Sequence, residues 1–198
     1  MKMLSKAERT KQFILETAAP LYNEKGISGV SIDDVLAATK LTKGCLYGHF
    51  EGKEDLSAQV VDYSLTKMAE KISRVVLNEK TAKGKIFAFM DFYKNPIDTY
   101  ISGGCPFFNT AVEADDNFPD IKKKVAARLQ FGQESLISIL EEGKQNGEFT
   151  RRLDSAIFAF KMFAAIEGGI VMSRTLNDAK MMHKLIKNLK EELDSYTV

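Results

Sequence analysis

Apolar residues return every three or four positions along most of the chain, which is the spacing of one face of an α-helix. Capping residues and breaks at glycine or proline divide this pattern into separate segments. The pattern predicts an all-α fold of about nine helices, over residues 5–25, 31–39, 42–50, 53–78, 81–94, 106 to about 115, 120–145, 154–174 and 177–196.

The first predicted helix contains two residues that interrupt helices. Gly26 is a natural stop, because glycine readily adopts the backbone angles that end a helix. Pro20 lacks an N–H and clashes with the preceding turn, so we expect a kink near residues 16–19. The buried stripe of this helix is expected to consist of Phe13, Ile14, Ala18, Leu21 and Tyr22.

Two stretches in the middle of the chain are expected to be irregular. After Asn95 and Pro96, residues 97–101 should continue briefly as a helix before Ser102-Gly103-Gly104 breaks the chain. A loop is expected around residues 115–119, ahead of the long helix that starts at residue 120.

Residues 31–50 predict two short helices joined by a tight turn. Ser31 can cap the first helix, the turn falls at Lys40-Leu41, and Thr42 caps the second helix. Leu46 and Phe50 are four residues apart and should both point inward. Two helices joined in this way are typical of the helix-turn-helix, whose second helix enters the DNA major groove.

The segment from residue 26 to residue 56, GISGVSIDDVLAATKLTKGCLYGHFEGKEDL, closely resembles the DNA-binding domain of the TetR family of transcriptional regulators. The resemblance implies an N-terminal three-helix DNA-binding domain over residues 1–52 and a C-terminal helical domain for ligand binding and dimerisation over residues 53–198. It also implies a double-stranded DNA operator and an unknown small-molecule effector as partners. The rest of the chain is similar to the family in length and helical pattern only.

The second short helix and its flanks are the expected DNA contacts. The resemblance implies that Tyr47 and His49 contact phosphates and that the start of the helix contacts bases or phosphates. Lys43 is the best candidate for reading a base, because a lysine can donate hydrogen bonds to guanine O6 and N7. The predicted DNA-binding residues are Ser31, Thr42, Lys43, Gly44, Cys45, Tyr47, His49 and Lys53.

Several of these residues also have a simpler interpretation. Tyr47 could be a half-buried aromatic that covers the small core, and the N–H of His49 could bond a local carbonyl. Lys53 resembles a family position that grips a phosphate at a helix start, and an ordinary exposed lysine is the alternative. Gly48 and Cys45 depart from the family pattern, so the base preference does not follow from the resemblance.

Charge indicates DNA binding only locally. The net charge of the chain is +1, and residues 1–55 contain eight basic and eight acidic residues. Residues 40–53 contain three lysines against Glu51 alone, so this stretch is modestly basic.

Residues 154–174 are apolar on nearly all sides, so one side must pack on its own domain and another on a different surface. The small residues Ala164, Ala165, Gly168 and Gly169 would let a second helix approach closely. We therefore expect a homodimer in which the last two helices pair with their copies in a four-helix bundle, as the resemblance also implies. The alternative is a helix buried within one chain.

Aromatic and methionine side chains are frequent after residue 80 and suit an apolar ligand pocket, although they also suit a core. Cys105 precedes Pro106 at the positive start of a predicted helix, where a thiolate that senses electrophiles or oxidants is favoured; a small buried side chain is the alternative. Asn109 and Glu113 are candidate polar groups for orienting a ligand. The expected ligand-binding residues are Phe87, Met90, Cys105, Phe107, Phe108, Asn109, Phe131 and Phe163.

Metal sites and enzymes are not indicated. The two cysteines and two histidines form no metal or disulfide motif, and the chain has no nucleophile–base set or phosphate-binding glycine loop. We expect no metal, no cofactor and no catalysis. The apolar runs are shorter than the roughly 20 residues of a membrane span and the N-terminus lacks an apolar signal region, so we expect a cytoplasmic protein without a membrane partner.

These features together predict a DNA-binding transcriptional repressor that a small apolar or electrophilic ligand releases from a palindromic operator. The alternative is a dimeric helical ligand-binding protein without sequence-specific DNA binding, which the balanced charge of residues 1–55 allows.

Overall fold

The computed structural model describes residues 5–198 and, over those residues, consists of nine α-helices. They are α1 (Lys6–Gly29), α2 (Ile32–Thr39), α3 (Lys43–Tyr47), α4 (Lys53–Leu77), α5 (Ala82–Phe92), α6 (Pro106–Asn117), α7 (Pro119–Gln145), α8 (Ser155–Leu176) and α9 (Lys180–Asp194). The predicted all-α fold is confirmed. An isolated antiparallel bridge joins Phe149 to Thr197.

Ser31 and Thr42 cap α2 and α3, as predicted, and Thr81 and Asp154, predicted as the first residues of their helices, are the N-caps of α5 and α8. Ser31 Oγ accepts a hydrogen bond from the N–H of Asp34 at 3.1 Å, and the Asp34 carboxylate accepts one from the N–H of Ser31 at 2.8 Å. This reciprocal pair satisfies two amides that the first helical turn leaves without a partner. Thr42, Thr81 and Asp154 cap α3, α5 and α8 through their side-chain oxygens.

The break in α1 lies at Gly26, as predicted, while the kink expected near residues 16–19 stays a prediction. The helix continues through Pro20 with helical backbone angles, and its non-helical residue is Gly26, with φ 79° and ψ 167°. Glycine reaches a positive φ without the steric cost that a Cβ brings, which explains why the break falls there. Residues 27–29 then form one more helical turn.

Two stretches in the middle of the chain differ from their predictions. Residues 97–101 form bends rather than a short helix. Arg174 Nη1 donates to the carbonyls of Pro96 at 3.4 Å and Ile97 at 3.2 Å, so these carbonyls are satisfied without helical amides. The loop expected at residues 115–119 is reduced to Phe118, because α6 continues to Asn117 and the residue before Pro119 must be extended.

α3 and α9 are shorter than predicted. α3 ends at Tyr47 rather than at residue 50, and Gly48 is its C-cap. α9 begins at Lys180 rather than at residue 177, because Asn177 adopts the left-handed conformation, with φ 50°, that ends α8.

Contacts divide the described chain into two compact units. The first contains residues 5–68 and 101–125. Within it, α6 packs against α1. The second contains residues 69–100 and 126–198 and includes the packed pairs α8–α9 and α5–α9. α4 and α7 contribute residues to both units. The division into functional domains at residue 52 stays a prediction.

The core of the first unit is drawn from all of its helices. Ile14, Val35, Leu46 and Leu56 are completely buried in it. Phe13 is 45% exposed, so its predicted place in the buried stripe of α1 is wrong. Neighbouring residues on a helix point about 100° apart, and Ile14 occupies the inward direction.

Two adjacent glycines of α8 in the second unit have different surroundings. A Cβ on Gly169 would lie 2.7 Å from Met182 Sδ, so this glycine is what lets α9 pack closely. A Cβ on Gly168 would meet no heavy atom within 4 Å, so this position remains open. Contrary to the expectation that the apolar runs are too short, α8, with a mean hydropathy of 1.6, is long and apolar enough to span a membrane by length and composition alone, a property that it shares with core helices of soluble proteins.

Candidate nucleic-acid interface

The turn between α2 and α3 is built from local hydrogen bonds. Lys40 adopts the left-handed conformation, with φ 58°, and its N–H donates to the carbonyl of Leu36 at 2.9 Å. The hydroxyl of Thr39 donates to the carbonyl of Val35 at 2.8 Å. The chain therefore reverses at Lys40-Leu41, as predicted, and the two helices form a helix-turn-helix over residues 31–50.

α3 is anchored by the two residues that were predicted to face inward. Leu46 and Phe50 are both buried, and the N–H of Phe50 donates to the carbonyl of Leu46 at 3.1 Å. Lys11 Nζ lies 5.4 Å from the centroid of the Phe50 ring, a cation–π distance that joins α1 to the end of the helix-turn-helix. One side of α3 is thus fixed, and the opposite side is left free for a ligand.

The outward side of α3 carries the residues predicted to contact DNA. Tyr47 is 45% exposed, so part of its side chain reaches solvent, as a DNA contact requires, and the rest is covered by the protein. His49 is half-buried, with its ring edge-on to Phe50 at 6.5 Å, so it lies at the margin of this surface. Cys45 is half-buried, and the exposed predicted contacts here are Thr42, Lys43 and Gly44.

At Gly44, no side chain projects from the outward face of α3. A Cβ at this position would meet no heavy atom within 4 Å, so the protein itself does not require glycine there. Without a side chain, the backbone can come close to another molecule. A major groove is wide enough to admit such a helix.

Lys53 is exposed at the first position of α4, as predicted. Its Nζ donates to the carbonyl of Ser28 at 3.4 Å. The positive end of a helix and a lysine ammonium both attract a phosphate, so the position suits the predicted role.

Electrostatic contacts orient the first helix of the motif. Lys25 Nζ lies 2.8 Å from Asp34 Oδ1 and joins α1 to α2. The hydrogen bonds from Lys25 and then from Ser31 hold the pKa of the Asp34 carboxyl well below its usual range. The Ser31 side chain, predicted to contact DNA, is thus used for capping.

A buried hydrogen bond joins α1 to α4. Tyr22 Oη and Ser57 Oγ are 3.0 Å apart, and both side chains are buried. Burial raises the pKa of the Tyr22 hydroxyl, which the hydrogen bond to Ser57 partly offsets. α4, which carries Lys53, is therefore fixed to the helix that supports α2 and α3.

Four of the predicted ligand-binding residues lie on or beside α6 in the first unit. Cys105 is buried at the N-cap of α6, as predicted, and Phe107 is buried in its first turn. Phe108 is partly exposed. The amide nitrogen of Asn109 donates to the backbone and side-chain oxygens of Asn23 at 3.1 Å each and to Gly103 O at 3.0 Å. Its two N–H groups are thus already used within the protein.

The other four predicted ligand-binding residues lie in the second unit. Met90 is completely buried, Phe163 is half-buried, and Phe131 is 70% exposed. Two ammonium groups lie near the ring of Phe87, with Lys83 Nζ at 5.4 Å and Lys190 Nζ at 4.8 Å from its centroid. These roles remain predictions.

An apolar face of α8 is exposed in the second unit. Its large members lie three to four residues or three helical turns apart, with one adjacent pair, and so form one stripe along the helix. They are Ile157, Phe160, Val171, Met172 and Leu176, with Met181 of α9 also exposed. Exposed apolar patches of this kind mark interaction surfaces.

Two residues that hold the first unit together were not identified as such from the sequence. Glu113 and Asn23 connect α6 and the preceding loop to the end of α1. The sequence signal for this joint was the glycine at position 26. A break in the helix there, seen as a positive φ, exposes backbone amides that need an acceptor.

Residues 82–189 match the family described as "Tetracyclin repressor-like, C-terminal domain". Residues 14–60 match the family described as "Bacterial regulatory proteins, tetR family". The second match contains both helices of the helix-turn-helix, and the first contains α5 to α8.

The chain is also similar to individual proteins. It is 33% identical to a crystallised transcriptional regulator of the TetR family from Cytophaga hutchinsonii, with a TM-score of 0.91 over 100% of this chain and 99% of that one. It is 22% identical to the HTH-type transcriptional repressor DhaR from Mycobacterium sp. (strain GP1), over 92% of this chain and 91% of the relative. A cysteine variant of the regulator CifR, crystallised with 26-bp double-strand operator DNA, has the same fold, with a TM-score of 0.81 at 12% identity over 98% of each chain.

Proposed function

The chain belongs to the TetR family of transcriptional regulators, and on that premise we propose that it is a cytoplasmic repressor that binds a palindromic DNA operator as a homodimer. We propose further that a small apolar or electrophilic molecule releases it from the operator. DhaR, a relative over nearly the whole chain, is itself a transcriptional repressor.

The observation that carries this proposal is the asymmetry of α3. Leu46 and Phe50 fix one side of the helix in the core, while Lys43, Gly44 and Tyr47 are exposed on the other side. A lysine, a bare backbone and a phenol at one helix surface can reach a guanine edge and the flanking phosphates of a major groove.

The exposed stripe of α8 supports a homodimer. Phe160 is 67% exposed and Leu176 is 69% exposed, and a second copy of the helix would remove both from water. Gly168 adds an open position at which another helix can approach. A two-fold dimer carries two helix-turn-helix motifs, so its operator would contain two related half-sites.

The effector part of the proposal is supported by the side chains that α5 and α6 bury. Met90 and Phe107 are buried apolar groups of the kind that line ligand pockets, and Cys105 is a buried thiol at the start of α6. Mass spectrometry after treatment of the native protein with N-ethylmaleimide tests the electrophilic class. An unmodified Cys105 under conditions that release DNA would reject it.

DNA binding is tested by fluorescence anisotropy with labelled fragments from the region upstream of the protein's own gene. The wild type should prefer one fragment to a scrambled duplex of equal length, and its affinity should fall steeply as salt rises, because phosphate neutralisation releases counterions. Lys43→Ala should reduce the preference by roughly tenfold or more. Lys184→Ala, which removes from α9 a charge that is also exposed, is the matched control and should leave the preference unchanged. A wild type that binds both duplexes equally would reject the proposal.

A further inference from the structure

A carboxylate from α6 holds the turn that leads into α2. Glu113 Oε2 accepts a hydrogen bond from the N–H of Ile27 at 2.6 Å, and Glu113 Oε1 accepts one from the N–H of Ser28 at 2.8 Å. These are the first two amides after the break at Gly26, and the first amides of a helical turn have no acceptor within the turn. The negative carboxylate also suits the positive start of that turn.

Gly26 is what lets the carboxylate come this close. A Cβ at Gly26 would lie 2.8 Å from Glu113 Oε2, so the carboxylate would have to shift away from the position in which it bonds both amides. The positive φ of Gly26 turns both following amides toward α6. The break in α1 and the carboxylate of Glu113 therefore form one arrangement.

A second set of hydrogen bonds joins the same two elements one helical turn earlier on α6. Asn109 donates to Asn23, and Asn23 Nδ2 donates in return to the carbonyls of Ser102 at 2.8 Å and Gly104 at 3.1 Å. A Cβ on Gly103 would lie 2.7 Å from the carbonyl oxygen of Asn23, so the two backbones touch. α6 and the loop before it are thus tied to the last turns of α1.

The Ser28 peptide connects this joint to the predicted DNA surface. Its N–H is bound by Glu113, and its carbonyl accepts from Nζ of Lys53, the predicted phosphate contact at the start of α4. Ser31, the N-cap of α2, follows three residues later. Hydrogen bonds through Ser28 therefore connect α6 to Lys53 at the start of α4, and the same segment leads into the cap of α2.

We infer that Glu113 is a positioning residue through which α6 sets the DNA affinity of the helix-turn-helix. The inference rests on the proposed function. Hydrogen bonds weaken steeply once donor and acceptor separate beyond about 3.5 Å. A shift of α6 by about one ångström away from α1 would therefore release both amides. With the Glu113 contacts made, the segment from Gly26 to Ser31 is held in one conformation. With them broken, binding DNA must first order that segment, and affinity falls.

Glu113→Gln tests the inference, because the amide keeps the shape of the side chain but presents N–H groups to one of the two donors. Asp116→Asn, an exposed acid on the same helix, is the matched control for charge. Loss of a negative charge by itself reduces the repulsion of DNA phosphates, so Asp116→Asn should bind the operator as tightly as the wild type or more tightly. Glu113→Gln should bind roughly tenfold more weakly in spite of the same charge change.

A double-mutant cycle separates positioning from general destabilisation. If Glu113 acts through the Ser28 peptide on Lys53, the losses caused by Glu113→Gln and Lys53→Gln should not multiply in the double variant. Losses that multiply would overturn the inference, as would a Glu113→Gln variant with wild-type affinity.

Hydrogen exchange on the DNA-free wild type supplies a measurement that needs no variant. The amides of Ile27 and Ser28 should be protected although they begin a helical turn. Unprotected amides in the wild type would overturn the inference even if the protein binds DNA. Protected amides in a protein that binds no DNA would instead reject the proposed function.

Discussion

Asp34 accepts a hydrogen bond from Lys25 Nζ at 2.8 Å, so an ion pair joins the end of α1 to the first turn of α2. Asp34 also accepts from the N–H of Ser31 and thereby closes the cap of α2. One carboxylate therefore sets both the start of the first helix of the motif and its attachment to the supporting helix.

This arrangement predicts how acid affects the fold. Because hydrogen bonds from Lys25 and Ser31 lower the pKa of Asp34, the carboxylate stabilises the folded state at every pH above its ordinary value, near 3.9. That contribution should be lost as the pH falls from about 4 toward the lower pKa of the folded state. Thermal melts of Asp34→Asn should therefore show a lower Tm than the wild type at pH 7 and a smaller difference at pH 3. Asp33→Asn, its exposed neighbour in the same turn, is the control, and an equal loss in both variants would contradict the role of Asp34.

The burial of Leu46 predicts a large loss of stability on truncation. Leu46→Ala should lower the free energy of unfolding by about 2–5 kcal/mol, because it removes buried methyl groups and leaves a cavity under α3. Leu77→Ala, at a position that is 74% exposed, should change it by about 0.5 kcal/mol or less. Urea unfolding followed by circular dichroism measures both. Similar midpoints for the two variants would show that Leu46 does not anchor α3.

The open space at Gly44 predicts opposite effects on stability and on DNA binding. Gly44→Ala should stabilise α3 by as much as about 1 kcal/mol, because alanine favours the helix and its Cβ meets nothing within 4 Å. The same methyl group should weaken operator binding if the backbone approaches the bases. Gly132→Ala on α7, where the added Cβ also meets nothing, should give a comparable gain in Tm with unchanged DNA affinity. Unchanged affinity in Gly44→Ala would exclude close approach at this residue.

The exposed hydroxyl of Tyr47 predicts an effect confined to DNA affinity. Tyr47→Phe should bind the operator roughly tenfold more weakly, because it loses one hydrogen bond to a charged phosphate. Such a bond contributes about 1.5 kcal/mol. Its Tm should match that of the wild type, because the side chain is 45% exposed. Tyr100→Phe, with a side chain that is 51% exposed in the second unit, is the control for loss of a surface hydroxyl. A fall in Tm without a change in affinity would favour a structural role for Tyr47.

The apolar stripe of α8 predicts a change of oligomeric state. Phe160→Asp should convert the proposed dimer into monomers in sedimentation velocity and should abolish operator binding with it, because a monomer reads only one half-site. Phe131→Asp replaces an equally exposed phenylalanine on α7 and should remain dimeric. Dimers in both variants would place the interface elsewhere.

Local chemistry explains why so much of this fold could be predicted. The caps at Ser31, Thr42 and Thr81 and the break at Gly26 depend on residues within a few positions of each other, and each begins or ends an element where the sequence indicated. The inward direction of Leu46 and Phe50 follows from helical spacing in the same way.

Errors occurred where a distant partner replaces a local one. Residues 97–101 lack the expected helix. In this stretch, Arg174 donates hydrogen bonds to the carbonyls of Pro96 and Ile97, and it lies 78 positions after Pro96 in the chain. Neither helical spacing nor capping rules reveal such a partner.

The sequence by itself determined the all-helical fold, the helix-turn-helix and the outward face of α3, because each depends on hydrogen bonds and side-chain directions within about one helical turn. Only the tertiary structure decided what Asn109 and Glu113 do. Expected to orient a ligand, they instead bond Asn23 and the amides of Ile27 and Ser28, which are about 85 residues away in the chain. A polar side chain takes whichever partners the folded chain brings within about 3 Å, and sequence spacing carries no record of that distance.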